Sequence, residues 1–232
     1  SNINLAVTDL SNLSLHGKDL SGTILSGADL TNTILTEADL TGADLAYVDL
    51  SEHDLTTTNL SDSILFRTNL SGIDLRLTTL TNADFRYAIL SESKLLDSQL
   101  VDNNFDFALL KNIDFAGKDL SKSSFKQVDL EGSDMQNSKL ANAAFLQVDF
   151  TKTKNKSLAG ADLSHASFAH SNLSGVNLGG TILHSVNFWN TNLSGVDFTV
   201  THIITDGTSF IEANLSNSNF EGIDLAPKEI HK

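Results

Sequence analysis

The sequence predicts an all-β fold in which the chain winds as a flat-sided coil with a turn at each corner, a solenoid. Two observations predict it. From Leu5 to Phe150 every fifth residue is large and apolar, comprising 23 Leu, six Phe and Met135. The residue two before each of these is usually small, as at Ala28, Ala38, Ala43, Ala83 and Ala88. A period of five matches neither the 3.6 of a helix nor the 2 of an ordinary strand. It needs a backbone that returns to one orientation every five residues. Within one short side, residues two apart face the same way. The large residue and its small predecessor therefore point inward, and the other three point out.

The beat slips by three residues at "TKTKNKS" and resumes at Leu158, running to Ile203. It slips by two at "TDG" and resumes from Phe210 to Leu225, giving 44 units in all. Repeats of this kind stack so that each buries its neighbours' apolar faces.

The units "GADLT", "NADFR" and "AGADLS" resemble the pentapeptide-repeat family, whose unit is approximately A(D/N)LXX. The resemblance covers about residues 3–226. It implies a right-handed, four-sided parallel β-helix with about 20 residues per coil. The sequence tests that circuit length. Counting by units across both slips, Phe85, Phe105, Phe125, Phe145, Phe168, Phe188 and Phe210 fall in one of four columns, seven of the eleven core Phe. The slips near 151–157 and 204–209 then read as bulges within coils of a single domain, 1–226, of about eleven coils. At a strand spacing of ~4.8 Å that is a rod of roughly 50 Å. The ends "SNINL" and "LAPKEIHK" do not read as caps. Pro227 suits the first position of a helix, so residues 227–232 are expected to begin a C-terminal cap or a helix leading into further sequence.

Composition narrows the function. There is no Cys, hence no disulfide framework and no thiolate metal site. No apolar run approaches membrane-spanning length, and membrane insertion is not expected. The net charge of −14 opposes direct nucleic-acid binding, which needs a basic footprint. The charge is also uneven. Residues 19–66 hold nine acids and no Lys or Arg, residues 67–156 hold twelve of each, and residues 157–227 hold six acids and again no Lys or Arg.

Chemistry is not expected on such a rod, because a filled bore and a convex exterior offer no pocket in which groups converge. Most acids stand one before the large residue and read as corner formers that bond nearby backbone. His165, His170, His184 and His202 fall within 38 residues, but no three share a column, so they read as surface residues rather than metal ligands. The Ser and Thr after many core residues read as turn formers. No catalytic residue, metal or cofactor is expected.

One exposed region departs from the pattern. The column two after the Phe ladder reads Val7, Gly27, Tyr47, Arg67, Tyr87, Phe107, Gln127 and Gln147. The column one after it carries Phe66, Arg86 and Lys126, and an adjoining column carries Ile89 and Leu109 where Asp29, Asp49 and Asn69 stood before. Aromatics and Arg dominate interface energetics. Tyr47, Phe66, Arg67, Arg86, Tyr87, Ile89, Phe107 and Leu109 are therefore the expected protein-binding residues. Mutual stacking of exterior side chains is the competing account. Trp189 reads as a weaker, isolated candidate.

The expected function is a non-enzymatic scaffold that binds a protein partner of unknown identity, the recognition module of a larger bacterial, effector-like protein. The resemblance also implies an alternative, an acidic DNA mimic that binds a type II topoisomerase as the quinolone-resistance members do. The charge-neutral middle third and the absence of an aromatic dimer segment after the last coil count against it.

Overall fold

The computed structural model describes residues 3–95, 100–201, 203–204 and 207–223. Its organising feature is the backbone arithmetic of one five-residue unit, which the unit around Leu5 and Leu10 illustrates. Leu5 N–H donates to Ile24 C=O in the next coil (2.7 Å), and Val7 N–H donates to Ser26 C=O (3.0 Å). Thr8 N–H closes a turn on Leu5 C=O (3.3 Å), and Ile24 N–H returns to Ile3 C=O (2.9 Å). That leaves only the N–H one after each core residue without a backbone partner. A side chain supplies it. Asp9 Oδ1 accepts from Ser11 N–H (2.9 Å), Asp29 from Thr31 N–H (2.9 Å), and Asn69 and Asn192 from Ser71 and Ser194 in the same way. Backbone donors must be satisfied, and Asx side chains reach a backbone N–H two residues on. The Asp/Asn of the repeat is thus a structural cap, as the sequence suggests.

Parallel bridges join residues 20 apart, from Asn4–Ile24 and Asp9–Asp29 onward, with four turns in each circuit. Most pairings are single bridges. The named strands are β1 (Ile182–Leu183) and β2 (Ile203–Ile204), which pair in parallel. The third turn position is left-handed in most units, for example Asn12 at φ 61° and Gly22 at φ 63°, with Glu52, Leu77 and Val200 as exceptions. Turns of this hand require φ > 0 at that position.

The core residues from Leu25 to Phe198 are almost wholly buried. The Phe column is a continuous stack. Ring centroids lie 5.0 Å apart for Phe85–Phe105, 5.1 Å for Phe105–Phe125, 4.8 Å for Phe125–Phe145 and 5.1 Å for Phe145–Phe168. It continues through Phe188 to Phe210. The ladder crosses the first slip unbroken. Its three extra residues are absorbed by two 3-10 turns, Phe150–Lys152 and Lys154–Lys156, with Asn155 at φ 57°.

The second slip lies differently from the expectation. Leu183 pairs with Ile204, not with Ile203. The spacing of paired residues rises from 20 at Asn172–Asn192 to 21 at Ile182–Ile203 and 22 at Asn187–Ser209, so the two extra residues enter one at a time. Two single-residue insertions each let the chain regain register at the next corner. The helix expected at 227–232 lies outside the described residues. Among the described residues no helix is long and apolar enough to cross a membrane.

The small inward position has a second use that the period does not reveal. Where it is Thr or Ser, the buried hydroxyl often donates to the carbonyl of a core residue in the coil before. Examples are Thr58 to Leu35 (3.0 Å), Thr68 to Leu45 (2.8 Å), Thr78 to Leu55 (3.0 Å) and Thr191 to Phe168 (2.7 Å). The neutral middle third also ties coils together. Lys111 reaches Glu131 (2.7 Å) and Asp129 (3.2 Å), and Lys154 reaches Asp134 (2.9 Å). One part of the exterior is not the convex surface expected: between residues 31–36 and 49–54 the coils part to form a cleft.

Three outcomes are expected. Phe125→Ala should destabilise the fold by about 3–5 kcal/mol in urea unfolding, as aromatic truncation in a close-packed stack does. Thr68→Val keeps the shape but removes the inter-coil hydroxyl, and should cost about 1 kcal/mol. The carboxylates of Asp9, Asp19, Asp29 and Asp54 are held below their ordinary range by hydrogen bonds from the hydroxyl and then the backbone of Ser11, Ser21, Thr31 and Thr56. Asp74, bonded by the Arg76 side chain, falls to about 2. Groups with lowered folded pKa stabilise above the unfolded value of about 4 and lose that contribution as pH falls through the folded value. Thermal unfolding should therefore shift down between about pH 4 and pH 2. Asp29→Asn, which retains the accepting Oδ1, should blunt the shift.

Candidate functional site

The exposed corner begins from a cost. Tyr47, Arg67, Tyr87 and Phe107 sit at the left-handed turn position, with φ of 65°, 56°, 61° and 65°. Gly or Asn occupies it readily, whereas other L-residues are disfavoured there by roughly 1–2 kcal/mol each. Ile89 and Leu109 carry a second cost. In their column Asp9, Asp29, Asp49 and Asn69 precede them and Asp129, Asp149, Asn172, Asn192 and Asn214 follow. Only Ile89 and Leu109 in that run lack an oxygen that could cap the following turn.

What is gained is a chain of ring contacts. Tyr47 meets Phe66 edge to face at 5.6 Å, Phe66 meets Tyr87 at 5.4 Å, and Tyr87 stacks on Phe107 at 4.6 Å and 10°. Arg67 Cζ lies between the rings, 5.9, 5.6 and 5.4 Å from Tyr47, Phe66 and Tyr87. Arg86 Cζ lies 5.9 Å from the Phe66 ring, and its guanidinium is held by Asp84 through two nitrogens at 2.6–2.9 Å. That carboxylate raises the Arg86 pKa above its ordinary value. Each cation over a ring contributes about 0.5–1 kcal/mol at such exposed sites.

The structure thus brings together six of the eight expected residues, Tyr47, Phe66, Arg67, Arg86, Tyr87 and Phe107. Phe66 and Phe107 are half-buried by their neighbours, while Tyr47 and Tyr87 remain 60% and 41% exposed. Ile89 and Leu109 form a bridged pair on the adjoining column, 36% and 41% exposed. They extend the apolar surface without joining the ring chain.

Two participants fall outside the expected set. Asp84 orients Arg86, and Lys126 Nζ stands 5.3 Å from the Phe107 ring. Trp189 is not isolated. Its Nε1 donates to Glu212 Oε2 (3.0 Å), and its ring meets His170 edge to face at 4.5 Å. His170 Nδ1 bonds Asn190 (2.9 Å). Carrying the unit count across the first slip, a signal available in the sequence, puts His170 in the Tyr87 column and Trp189 in the Phe66 column. Both clusters therefore lie along one corner. His165 and His184 meet edge to face at 4.8 Å, and His202 lies outside the described residues. Among the described residues no group of three or more His, Asp or Glu is placed to hold a metal ion.

Comparison with curated proteins finds no match. Among solved structures, HetL, a pentapeptide repeat protein involved in heterocyst differentiation regulation from the cyanobacterium Nostoc, is similar over 95% of this chain and 88% of its own, at 27% identity and a TM-score of 0.51. A pentapeptide repeat protein of the Arabidopsis thaliana thylakoid lumen is 26% identical over 49% of this chain and 65% of its own, with a TM-score of 0.31. QnrB1, a plasmid-mediated fluoroquinolone resistance protein, is 16% identical over 90% and 94%, with a TM-score of 0.34. The pentapeptide-repeat pattern itself matches residues 23–62, 63–95, 98–137 and 161–199. With the 20-residue circuit and the stacked core, this makes the chain a member of the pentapeptide-repeat family.

Proposed function

We propose that this protein is a non-enzymatic interaction scaffold, a right-handed rod of about eleven coils that docks a protein partner along the corner running from Tyr47 to Phe107. Pentapeptide-repeat proteins are generally not enzymes. The observation that carries the reading is the run of exposed aromatic rings and guanidinium groups in contact along one corner over consecutive coils, beside the apolar pair Ile89 and Leu109. The ring chain also holds its aromatics in place before any partner arrives, which lowers the ordering cost of binding. A role in regulation, as HetL has, suits a chain that binds rather than reacts. The effector-like setting, in which this rod is the recognition module of a larger bacterial protein, is part of the proposal.

A second reading, a DNA mimic directed at a type II topoisomerase, is favoured by the stretch from 19 to 66, with nine acids and no Lys or Arg. A long acidic surface competes for a basic groove. The inter-coil ion pairs of the middle third interrupt that surface.

The two are separable. Tyr87→Asn/Phe107→Asn suits the left-handed backbone, so its stability should stay within about 1 kcal/mol of the parent. It should nevertheless lose the partners that cross-linking captures on the parent rod; retention of all of them would remove the corner from the reading. Purified gyrase should supercoil DNA normally in micromolar protein. Inhibition of that reaction, or protection against a quinolone, would favour the DNA mimic instead.

A further inference from the structure

His53 occupies the small inward position of its unit, two before Leu55. The same position in the coils below and above holds Thr33 and Ile73. The imidazole reaches down instead, with Nε2 2.8 Å from Leu30 C=O, and Nδ1 is shielded from solvent without a partner. Around it the backbone ladder opens. Among the described residues, the N–H groups of Leu30, Asn32 and Leu35 do not reach the next coil, nor do those of Asp49 and Asp54 reach the coil before. The Glu37–Thr56 bond is stretched to 3.4 Å. Bridges are present at Asp9–Asp29, Ser14–Ile34 and Asp49–Asn69, but not at Asp29–Asp49 or Ile34–Asp54. Normal bonding resumes at Gly27–Ala46 (2.8 Å) on one side and Leu40–Asn59 (2.9 Å) on the other.

The opening is a cleft of about 620 Å³ lined by His53, Thr31, Asn32, Asp49, Glu52 and Asp54, among others. That is within the range of ligand pockets, ~300–1,000 Å³. We propose that this cleft binds an extended basic peptide segment. Unpaired N–H and C=O groups along both lips are what an added strand pairs with. The sign of the ligand follows from the carboxylates. Asp49 and Asp54, which line the cleft, each use Oδ1 for their own turns, and neither Oδ2 makes a hydrogen bond or ion pair among the described residues. Glu52 makes no hydrogen bond or ion pair among the described residues. The stretch 19–66, which supplies both lips, contains no Lys or Arg. Charge-assisted bonds from Arg or Lys to these groups would supply the specificity.

The test is a titration of the whole chain with a labelled hexapeptide of alternating threonine and arginine, against the same peptide with glutamate for arginine and against free arginine. Saturable binding of the arginine hexapeptide alone is expected. Glu52→Gln/Asp54→Asn should weaken it about tenfold or more, the scale of lost charge-assisted contacts. Asp19→Asn/Asp39→Asn, removing equal charge elsewhere, should leave it unchanged. His53→Ala should let the coils close. The Leu30, Asn32 and Leu35 amides should gain hydrogen-exchange protection, and binding should be lost. No saturable binding, equal affinity for the glutamate peptide, equal weakening by both charge pairs, or binding retained once those amides are protected would each overturn the proposal. Competition by free arginine as strong as by the peptide would also overturn it. If His53→Ala fails to fold, the two charge-pair variants still decide. Tyr87→Asn/Phe107→Asn should bind the hexapeptide as the parent does, and loss there would move the peptide to the aromatic corner.

Discussion

The structure depends on one requirement: a chain whose described residues form almost no helix and mostly single-residue bridges must still satisfy its backbone donors. In the regular units three N–H groups pair with neighbouring coils and one closes a turn, as at Leu5, Val7, Ile24 and Thr8. The fifth turns to a side chain, usually the Asp or Asn one before the core residue, as at Asp9 and Asp29. The alternation of Asp and Asn at that position is therefore a hydrogen-bonding rule rather than a charge rule, since both present an accepting oxygen at the same place. The net charge of −14 is in large part a by-product of capping corners with Asp.

That rule gives departures from it a meaning. Ile89 and Leu109 leave turns uncapped, and Tyr47, Arg67, Tyr87 and Phe107 hold a left-handed backbone that favours smaller residues. Ring stacking and guanidinium contacts offset part of the cost, so mutual stabilisation and partner binding are not rival explanations of the corner. The first holds the rings in position and leaves faces exposed, which the proposed partner would use. The contrast with the core is instructive. The Phe85–Phe210 stack sits in ordinary inward positions and carries no such penalty.

His53 is a different sort of departure. A side chain too large for its slot acts on its neighbours rather than on itself, and interrupts pairing on both lips of a coil. In a solenoid each coil touches only its neighbours, so such an opening stays local. Between the His53 coil and the one before it the ladder resumes at Gly27–Ala46 and Leu40–Asn59, while on the other side Leu55 N–H does not reach Asp74.

The sequence by itself determined the solenoid, the inward and outward faces, the 20-residue circuit and the membership of the Phe column, because a strict period leaves one orientation for every residue. It also placed six of the eight corner residues side by side before any coordinates, since stacking coils brings residues 20 apart into contact. What the period could not carry was decided only in three dimensions. The two-residue slip resolves into two single insertions around β2, because backbone pairing rather than residue count sets register. The contacts of Trp189 with His170 and Glu212 depend on side-chain rotamers, which the unit count that puts Trp189 and His170 on the same corner does not fix. The gap beside His53 depends on whether one ring fits between two coils, a matter of volume and packing on which a five-residue rhythm is silent.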